Sequence, residues 1–401
     1  MSGSSSNAFF QNVFLAQNLA QKKESFVDQL DLFPREQIAD ILENEITPKN
    51  VEQALLRAGK CSLYDFLALL SPVADPYLEE MARISQKLTQ KRFGNTISIF
   101  LPVYLSNECS NVCTYCGFSH NNDVERITLN KKQITKEIEA IKKKGVQQVL
   151  ILTGEDHRRV GMDYFKETLP LFRDQFREVI IEIQPLETEE YKTLRNLGVD
   201  GVCVYQETYH KENYRIYHPK GKKSHFTYRI DAPFRACESG MHKIGLGVLL
   251  GLENWRIDSF FCALHLKFLQ KNFWKARFSL SFPRLRPASG ISFTNEMKKK
   301  FPSDADLAKL IFAYRLLDED LSLTLSTRET PNFRNHMIGL GITSISAESK
   351  THPGGYACFP EKGEQLEQFS TDDNRNILEM TKVIKENGME PVFYDWMSEM
   401  S

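Results

Sequence analysis

Three cysteines, Cys109, Cys113 and Cys116, stand close together in the sequence, separated by three residues and then by two. Deprotonated cysteine side chains are soft ligands, and a group of them suits an iron–sulfur cluster or a zinc ion. Cubane iron–sulfur clusters usually take four cysteines. Because the fourth position is open here, the spacing predicts a cluster that keeps one iron free to bind a small molecule.

A structural zinc site is the alternative interpretation, because His120 could complete a set of three thiolates and one imidazole. The remaining cysteines are Cys61, Cys203, Cys237, Cys262 and Cys358. We expect these scattered residues to be small buried hydrophobic side chains. Their distribution is not the disulfide pattern of a small secreted protein, and it favours a reducing cytoplasm.

The composition is that of a soluble globular protein, since 41% of the 401 residues are hydrophobic and 26% are charged. A formal net charge of −1 gives no general attraction to nucleic acid or to a membrane surface. No apolar run approaches the length of a membrane span. The first residues, Met1–Asn7, are followed by no apolar signal core, and we expect a flexible tail there.

The pattern of the chain changes near residue 95. Residues 1–94 are predicted to form an N-terminal helical extension, with one helix beginning at Thr47 and Pro48. From Thr96 onward, strand and helix patterns alternate, and eight strand–helix units can be counted. This alternation predicts an α/β fold with parallel strands and right-handed crossovers.

Eight such units predict a (β/α)8 barrel of the TIM type, with a doubly wound open sheet as the alternative. We place the barrel at residues 95–350 and expect a short C-terminal segment, residues 351–401, to pack on it. One of the predicted helices runs over residues 224–239. In a barrel of this kind, functional residues lie at the carboxyl ends of the strands.

Polar residues follow several predicted strands, at what would be the same rim as the cysteines. Arg284 and Arg286 follow the sixth strand, Arg328 follows the seventh, and Ser346 ends the eighth. Arginine matches a carboxylate through two parallel hydrogen bonds. The convergence of these side chains predicts a polar, anionic substrate such as an amino acid.

With Tyr115 immediately before its third cysteine, the loop resembles the signature of the radical S-adenosylmethionine (SAM) enzymes. In that superfamily the cysteines hold three irons of a [4Fe–4S] cluster, and SAM chelates the fourth iron. The resemblance implies that Cys109, Cys113 and Cys116 are the cluster ligands. We therefore expect a [4Fe–4S] cluster and SAM as cofactors.

The resemblance also implies residues that hold SAM. A glycine–glutamate stretch after the second strand binds the SAM amino group in these enzymes, which implies this contact for Glu155. Glu207 follows the fourth strand, where a carboxylate suits the two ribose hydroxyls, and Gln206 lies beside it. Tyr115 is a further candidate. Arg229 is a candidate for the SAM carboxylate, with a salt bridge on a helix surface as its alternative.

Motifs along most of the chain, over residues 45–397, resemble the tyrosine lyases of bacterial thiazole biosynthesis. Among these motifs are YQETY at Tyr205–Tyr209, PRLRP at Pro283–Pro287, STRE at Ser326–Glu329 and EPVFYDW at Glu390–Trp396. After Gly154 the sequence reads Glu-Asp-His, where the family has Glu-His-Glu. This departure leaves the role of His157 open.

The family resemblance implies a radical lyase that acts on L-tyrosine. A reduced cluster would cleave SAM to methionine and a 5′-deoxyadenosyl radical, which takes a hydrogen atom from the amino group of the substrate. Cleavage of the Cα–Cβ bond would then give 2-iminoacetate and p-cresol. Arg328 is our first choice for the tyrosine carboxylate, followed by Arg284, Arg286 and Ser346. The implied partners are an electron donor of the flavodoxin or ferredoxin type and a thiazole synthase.

Three alternatives stay open. The related tyrosine lyases of [FeFe]-hydrogenase maturation carry further cysteines in a C-terminal extension, whereas only Cys358 follows the last predicted barrel strand here. An interaction module that holds zinc or a cluster without catalysis would explain the cysteines, but not the polar residues at the strand ends. A radical enzyme with a different substrate is the third.

Overall fold

The computed structural model describes residues 10, 25–288, 291, 293 and 295–394. The tail predicted at Met1–Asn7 and the last motif residues, 395 and 396, lie outside this part. Nine parallel strands form the sheet in the described part of the chain. They are β1 (Thr96–Ser106), β2 (Gln148–Thr153), β3 (Glu178–Glu182), β4 (Gly201–Cys203), β5 (Lys243–Gly247), β6 (Arg277–Ser281), β7 (Ser322–Leu325), β8 (Ser344–Ser346) and β9 (Glu390–Val392).

The first eight strands close into a barrel. β1 pairs with β2, where Leu101 lies opposite Val149, and with β8, where Ile99 lies opposite Ile345. The other strands pair with their neighbours in chain order. The predicted (β/α)8 barrel is therefore confirmed, and the open sheet is wrong, because the first and eighth strands pair with each other.

Helices precede the barrel and connect its strands. Those before β1 are α1 (Phe26–Leu30), α2 (Arg35–Asp40), α3 (Pro48–Leu56), α4 (Leu63–Leu70) and α5 (Leu78–Phe93). The later ones are α6 (Lys131–Lys142), α7 (Met162–Arg173), α8 (Thr188–Asn196), α9 (Tyr214–Tyr217), α10 (Phe226–Ile230), α11 (Ala232–Glu238), α12 (Trp255–Asn272), α13 (Asn295–Lys299), α14 (Asp304–Leu317), α15 (Pro331–Met337), α16 (Gly363–Leu366) and α17 (Ile377–Glu386).

The helices before β1 pack against the outside of the barrel, mainly on α14. The rings of Phe66 and Tyr314 lie 4.9 Å apart. Lys309 Nζ donates to the carbonyl of Ser71 at 3.2 Å. Such apolar and polar contacts join the N-terminal helices to the barrel. The domain boundaries at residues 94 and 350 stay predictions.

The chain after β8 crosses the carboxyl end of the barrel and then returns to its amino end. Tyr104 donates its hydroxyl hydrogen to Gln368 Oε1 at 2.7 Å, and Gly117 N–H donates to the carbonyl of Gln368 at 2.9 Å. β9 then pairs with the first residues of β1, with Glu390 opposite Thr96. This segment therefore contacts both the lumen and the cysteine loop.

The single helix predicted over residues 224–239 is wrong. The structure has two short helices there, α10 and α11, separated at Asp231. Pro233 explains the break, because proline has no N–H and its ring conflicts with the carbonyl four residues earlier, here that of Arg229.

Candidate active site

The cysteine loop follows β1 and is held by one buried amide and one guanidinium. Asn107 donates to the carbonyl of Glu125 at 2.8 Å and accepts from Ile127 N–H at 2.7 Å. Arg126 donates to the carbonyls of Asn107, Phe118, Ser119 and Asn122 at 2.8–3.3 Å. Four backbone carbonyls of the loop are thus bonded to the Arg126 side chain, and together with the bonds of Asn107 they fix the loop's conformation.

Cys109, Cys113 and Cys116 all lie on this loop, and none of them is in a disulfide. Burial raises the pKa of the Cys109 thiol to about 12, and it also raises the pKa values of Cys113 and Cys116. Each of the three thiols lies close enough to another that their charges would repel. Buried, adjacent thiolates need a metal to stabilise them, so this donor set fits an iron–sulfur cluster.

His120, the fourth ligand of the zinc interpretation, is exposed, and its Nδ1 lies 3.3 Å from the carbonyl oxygen of Cys109. Within the described ranges, no group of three or more His, Cys, Asp and Glu side chains is arranged to hold one metal ion. This finding disfavours a site for a single zinc ion but does not conflict with a cubane cluster, because the three thiolates would each bind a different iron.

Gly154 lets the end of β2 lie directly against the cysteine loop. A Cβ added there would lie 2.2 Å from the carbonyl oxygen of Glu108. The glycine is also fixed in place, since its N–H donates to the carbonyl of Ser106 at 2.8 Å. A side chain of any size at this position would therefore push the loop away from the barrel.

Gly154→Ala is accordingly expected to reduce the iron bound after anaerobic reconstitution and to lower the free energy of unfolding by about 1–3 kcal/mol. Iron analysis and thermal unfolding measure the two effects. Gly363→Ala is the matched control, because its added Cβ would meet its nearest neighbour, His352, at 3.5 Å, an ordinary contact. Wild-type iron content in Gly154→Ala would show that this close approach is not needed.

Glu155 follows Gly154 and is held on both carboxylate oxygens. Oε1 accepts from Arg229 Nη1 at 2.8 Å, and Oε2 accepts from Asn111 Nδ2 at 2.9 Å. Burial by itself would raise the pKa of Glu155, but the charges of Arg229 and Lys223 outweigh it, so the pKa is lowered. The carboxylate is therefore ionised, as an acceptor for an ammonium group must be.

The structure places Arg229 in the interior, and its side chain is only 6% exposed. Its Nε donates to the carbonyl of Tyr205 at 2.8 Å, and its Nη1 pairs with Glu155. The alternative of a salt bridge on a helix surface is therefore wrong. The Nη1 side of the Arg229 guanidinium is therefore occupied by its hydrogen bond to Glu155.

Glu207 and Gln206 lie beyond the end of β4. Glu207 has a positive φ of 72°, a conformation that non-glycine residues rarely adopt. Its Oε1 accepts from Lys223 Nζ at 2.7 Å. The Gln206 side chain is buried, and neither its oxygen nor its nitrogen has a hydrogen-bond partner among the described residues. Such an unpaired buried amide fits a ligand with polar atoms.

Tyr115 connects the cysteine loop to α9. Its hydroxyl lies 2.7 Å from Nε2 of His218, whose Nδ1 lies 2.9 Å from the carbonyl of Tyr214. Burial lowers the pKa of His218 well below its usual value, so the ring is neutral, with its proton on Nδ1 and Nε2 accepting from Tyr115. Lys223 Nζ lies 5.7 Å from the centre of the Tyr115 ring.

A cavity in the barrel lumen opens next to the loop. Tyr115, Cys116, Glu207 and Lys223 line it on the cluster side. Arg328 and Ser346 line the opposite wall, and Ser346 Oγ accepts from the backbone N–H of Thr327 at 3.1 Å. The structure thus brings two of the four predicted substrate residues into one cavity with Tyr115 and Glu207 from the predicted cofactor residues and with the predicted ligand Cys116.

Arg284 and Arg286 do not line this cavity in the described part of the chain. Arg284 pairs with Glu329 and with Asp304. Arg286 Nη2 lies 2.7 Å from Asp372. Both arginines are held by carboxylates of the protein, so they fix the rim around the cavity.

Sequence reasoning missed three side chains at this site: Lys223, His218 and Glu182. Lys223 lies next to other lysines in the sequence, and His218 follows an unremarkable aromatic stretch, so neither gave a signal. Glu182 ends the third predicted strand, and its position at a strand end could have identified it.

Comparison with known proteins agrees with this geometry. Residues 103–261 match the model of the Radical SAM superfamily, and residues 281–390 match that of the Biotin and Thiamin Synthesis associated domain. Among the described residues, no helix is both long and apolar enough to pass through a membrane.

Two curated relatives, 2-iminoacetate synthases of Salmonella typhimurium and Escherichia coli, are each 47% identical to this chain over 357 residues. Each alignment covers 88% of this chain and 92% of the relative. A crystal structure of HydG, a maturase of the [FeFe]-hydrogenase, is similar with a TM-score of 0.84 and 31% identity, covering 91% of this chain and 81% of that one. The chain belongs to the 2-iminoacetate synthase family of the radical SAM enzymes, whose cofactors are a [4Fe–4S] cluster and SAM.

Proposed function

We propose that this enzyme cleaves the Cα–Cβ bond of L-tyrosine to give 2-iminoacetate and p-cresol, a reaction that supplies the thiazole moiety of thiamine. The observation that carries the proposal is the 47% identity to two 2-iminoacetate synthases along nearly their whole length. The cavity beside the cysteine loop supports it, because it combines a buried arginine with apolar walls, as a zwitterionic aromatic amino acid requires.

In this proposal Cys109, Cys113 and Cys116 ligate the [4Fe–4S] cluster. Once bound, the cluster would supply the single electron that divides SAM into methionine and a 5′-deoxyadenosyl group, which leaves as 5′-deoxyadenosine after it has taken a hydrogen atom. The barrel encloses the substrate and excludes water from the reacting groups.

The residues around the cluster have separate tasks in holding SAM. Glu155 accepts from the amino group, while Arg229 orients Glu155 and offers its charge to the SAM carboxylate. Glu207 binds the ribose hydroxyls, and the unpaired amide of Gln206 lies next to it. Tyr115, fixed by His218, forms part of the wall between the SAM site and the cavity.

Arg328 binds the carboxylate of tyrosine, and Ser346 donates a further hydrogen bond at the same wall. Arg328 is the better choice over Arg284 and Arg286, because those two are already paired with carboxylates of the protein. Burial lowers the pKa of the Arg328 guanidinium, and an incoming carboxylate would offset the cost of that buried charge.

The reaction needs electrons, and we propose a flavodoxin- or ferredoxin-type donor. We also propose a thiazole synthase as the protein that receives 2-iminoacetate, because an imine of this kind hydrolyses readily in water. The reducing chemistry and the unpaired cysteines suit the cytoplasm.

The experiment that tests the function is incubation of the reduced, reconstituted enzyme with SAM and a panel of amino acids, followed by assays of p-cresol and 5′-deoxyadenosine. Tyrosine is expected to give both products. Formation of 5′-deoxyadenosine with another amino acid, and no p-cresol with tyrosine, would show that tyrosine is not the substrate. The maturase-like alternative predicts carbon monoxide or cyanide in addition, so these are assayed as well.

A further inference from the structure

Glu182 is a carboxylate inside the barrel that has no partner in the described part of the chain. It ends β3 and lines the cavity. Among the described residues, no hydrogen bond or ion pair to its carboxylate is found. The other carboxylate that lines the cavity, Glu207, is paired with Lys223 at 2.7 Å. An ionisable group that lines a cavity and has no partner among the described residues is a candidate for contact with a ligand.

Arg328 is its counterpart across the lumen. β3 and β7 are four strands apart in a closed barrel of eight, so they face each other. The Arg328 side chain also has no ion pair to a described residue, and its guanidinium lies over the Phe369 ring at 3.4 Å. The cavity therefore carries two unpaired, opposite charges on facing walls.

Apolar side chains form the wall that joins these two charges. Pro102, Leu150 and Leu152, from β1 and β2, line the cavity on this side. Leu152 pairs directly with Glu182 in the sheet register. An elongated molecule with an anion at one end, an apolar ring in the middle and a hydrogen-bond donor at the far end matches this order.

We propose that Glu182 accepts the phenol hydrogen of the substrate tyrosine and takes that proton as the Cα–Cβ bond breaks. The inference rests on the proposed function, since it assumes that tyrosine is the substrate and that Arg328 holds its carboxylate. The ring then lies along the apolar wall, and the phenol group reaches β3.

The step balances as follows. After a hydrogen atom has left the amino nitrogen, homolysis of the Cα–Cβ bond gives 2-iminoacetate and a benzylic radical from the side chain. Transfer of the phenol proton to the Glu182 carboxylate leaves this radical as its 4-oxido form. One electron from the electron donor and two protons, one returned by Glu182 to the phenol oxygen and one from solvent to the methylene carbon, give p-cresol.

The contact also predicts selectivity between tyrosine and phenylalanine. A site built to bond a substrate hydroxyl rejects the analogue that lacks it, because the buried polar group is then left unpaired. Phenylalanine should therefore bind the wild-type enzyme at least about 10²-fold more weakly than tyrosine.

Glu182→Gln and Glu182→Leu test the inference, with Glu178→Gln as the matched control at the other end of β3, where Glu178 pairs with Lys243. Equilibrium binding of tyrosine and phenylalanine is measured together with p-cresol and 5′-deoxyadenosine. Glu182→Gln should bind tyrosine within a few-fold of wild type but form p-cresol about 10²-fold more slowly. Glu182→Leu should lose its preference for tyrosine over phenylalanine. Glu178→Gln should behave as wild type.

The dependence on pH separates proton transfer from a structural role. Burial, and then the charge of Glu207, raise the pKa of Glu182 to about 7, so p-cresol formation should increase as the pH rises through about 7. This increase should be missing in Glu182→Gln and restored in Glu182→Asp. The other titratable or charged groups that face Glu182 are Arg328, Lys223, Arg229, Tyr104, Tyr205 and Cys203.

Several outcomes would overturn the inference while the proposed function stands. One is wild-type binding, rate and pH profile in Glu182→Gln. Another is loss of 5′-deoxyadenosine formation in that variant with unchanged discrimination against phenylalanine, which would place Glu182 at the amino group. If Glu182→Gln does not fold, the comparison of Glu182→Asp with wild type decides the question. Absence of p-cresol in the wild-type enzyme would instead overturn the proposed function.

Discussion

Cys113→Ala is expected to abolish the cleavage of SAM. Cys113 is buried, and its backbone N–H donates to Ser119 Oγ at 3.1 Å, so no other side chain can take its place without moving the loop. Loss of a direct ligand should exceed the ~10²-fold effect that is typical of losing an outer contact to a metal site. Formation of 5′-deoxyadenosine should therefore fall below detection, and the visible absorption of the reconstituted cluster should be lost or altered.

Cys358→Ala is the control for this variant. Cys358 lies outside the loop, and its Sγ contacts the carbonyl of Gln133 at 3.5 Å. It should keep the cluster and the rate of SAM cleavage. His120→Ala should behave in the same way, since that side chain is exposed. Retained SAM cleavage in Cys113→Ala would contradict ligation by this cysteine. Loss of bound metal in His120→Ala would support the alternative interpretation of a zinc site.

The barrel could be predicted because its signal is periodic and local. Each strand–helix unit carries its own hydrophobic pattern, and eight repeats leave few topologies. The location of the functional residues at one rim could be predicted in the same way, since parallel strands bring their carboxyl ends together. The order of the strands therefore predicts that Glu207 and Arg328 lie around one lumen, with Glu155 at the same end of the barrel.

The pairing of charges could not be predicted, because it depends on partners that are distant in the sequence. Arg284 and Arg328 look equivalent there, yet Glu329 holds the first and no described carboxylate holds the second. Arg229 and Glu155 are 74 positions apart and form an ion pair across two strand ends. Which charge is free to meet a ligand is decided only when the whole fold is known.

Arg328→Lys is expected to raise the KM for tyrosine by about 10²-fold, with a smaller effect on the KM for SAM. Lysine keeps the positive charge but loses the planar fork that binds a carboxylate through two hydrogen bonds. It also loses the stacking of the guanidinium on Phe369 at 3.4 Å. Truncating one partner of a buried charge pair costs about 2–5 kcal/mol, so Arg328→Met should bind tyrosine more weakly than Arg328→Lys does.

Arg284→Lys is the matched control, because it makes the same chemical change at the same rim. Arg284 is bonded to Glu329 and stacks 5.6 Å from the Phe333 ring, so its replacement should lower the unfolding temperature and change the KM for tyrosine only a few-fold. The reverse result, a large KM effect in Arg284→Lys and none in Arg328→Lys, would mean that the tyrosine carboxylate binds Arg284, beyond the end of β6. That shift would also remove the reason for placing the phenol at Glu182, because β6 does not face β3 across the barrel.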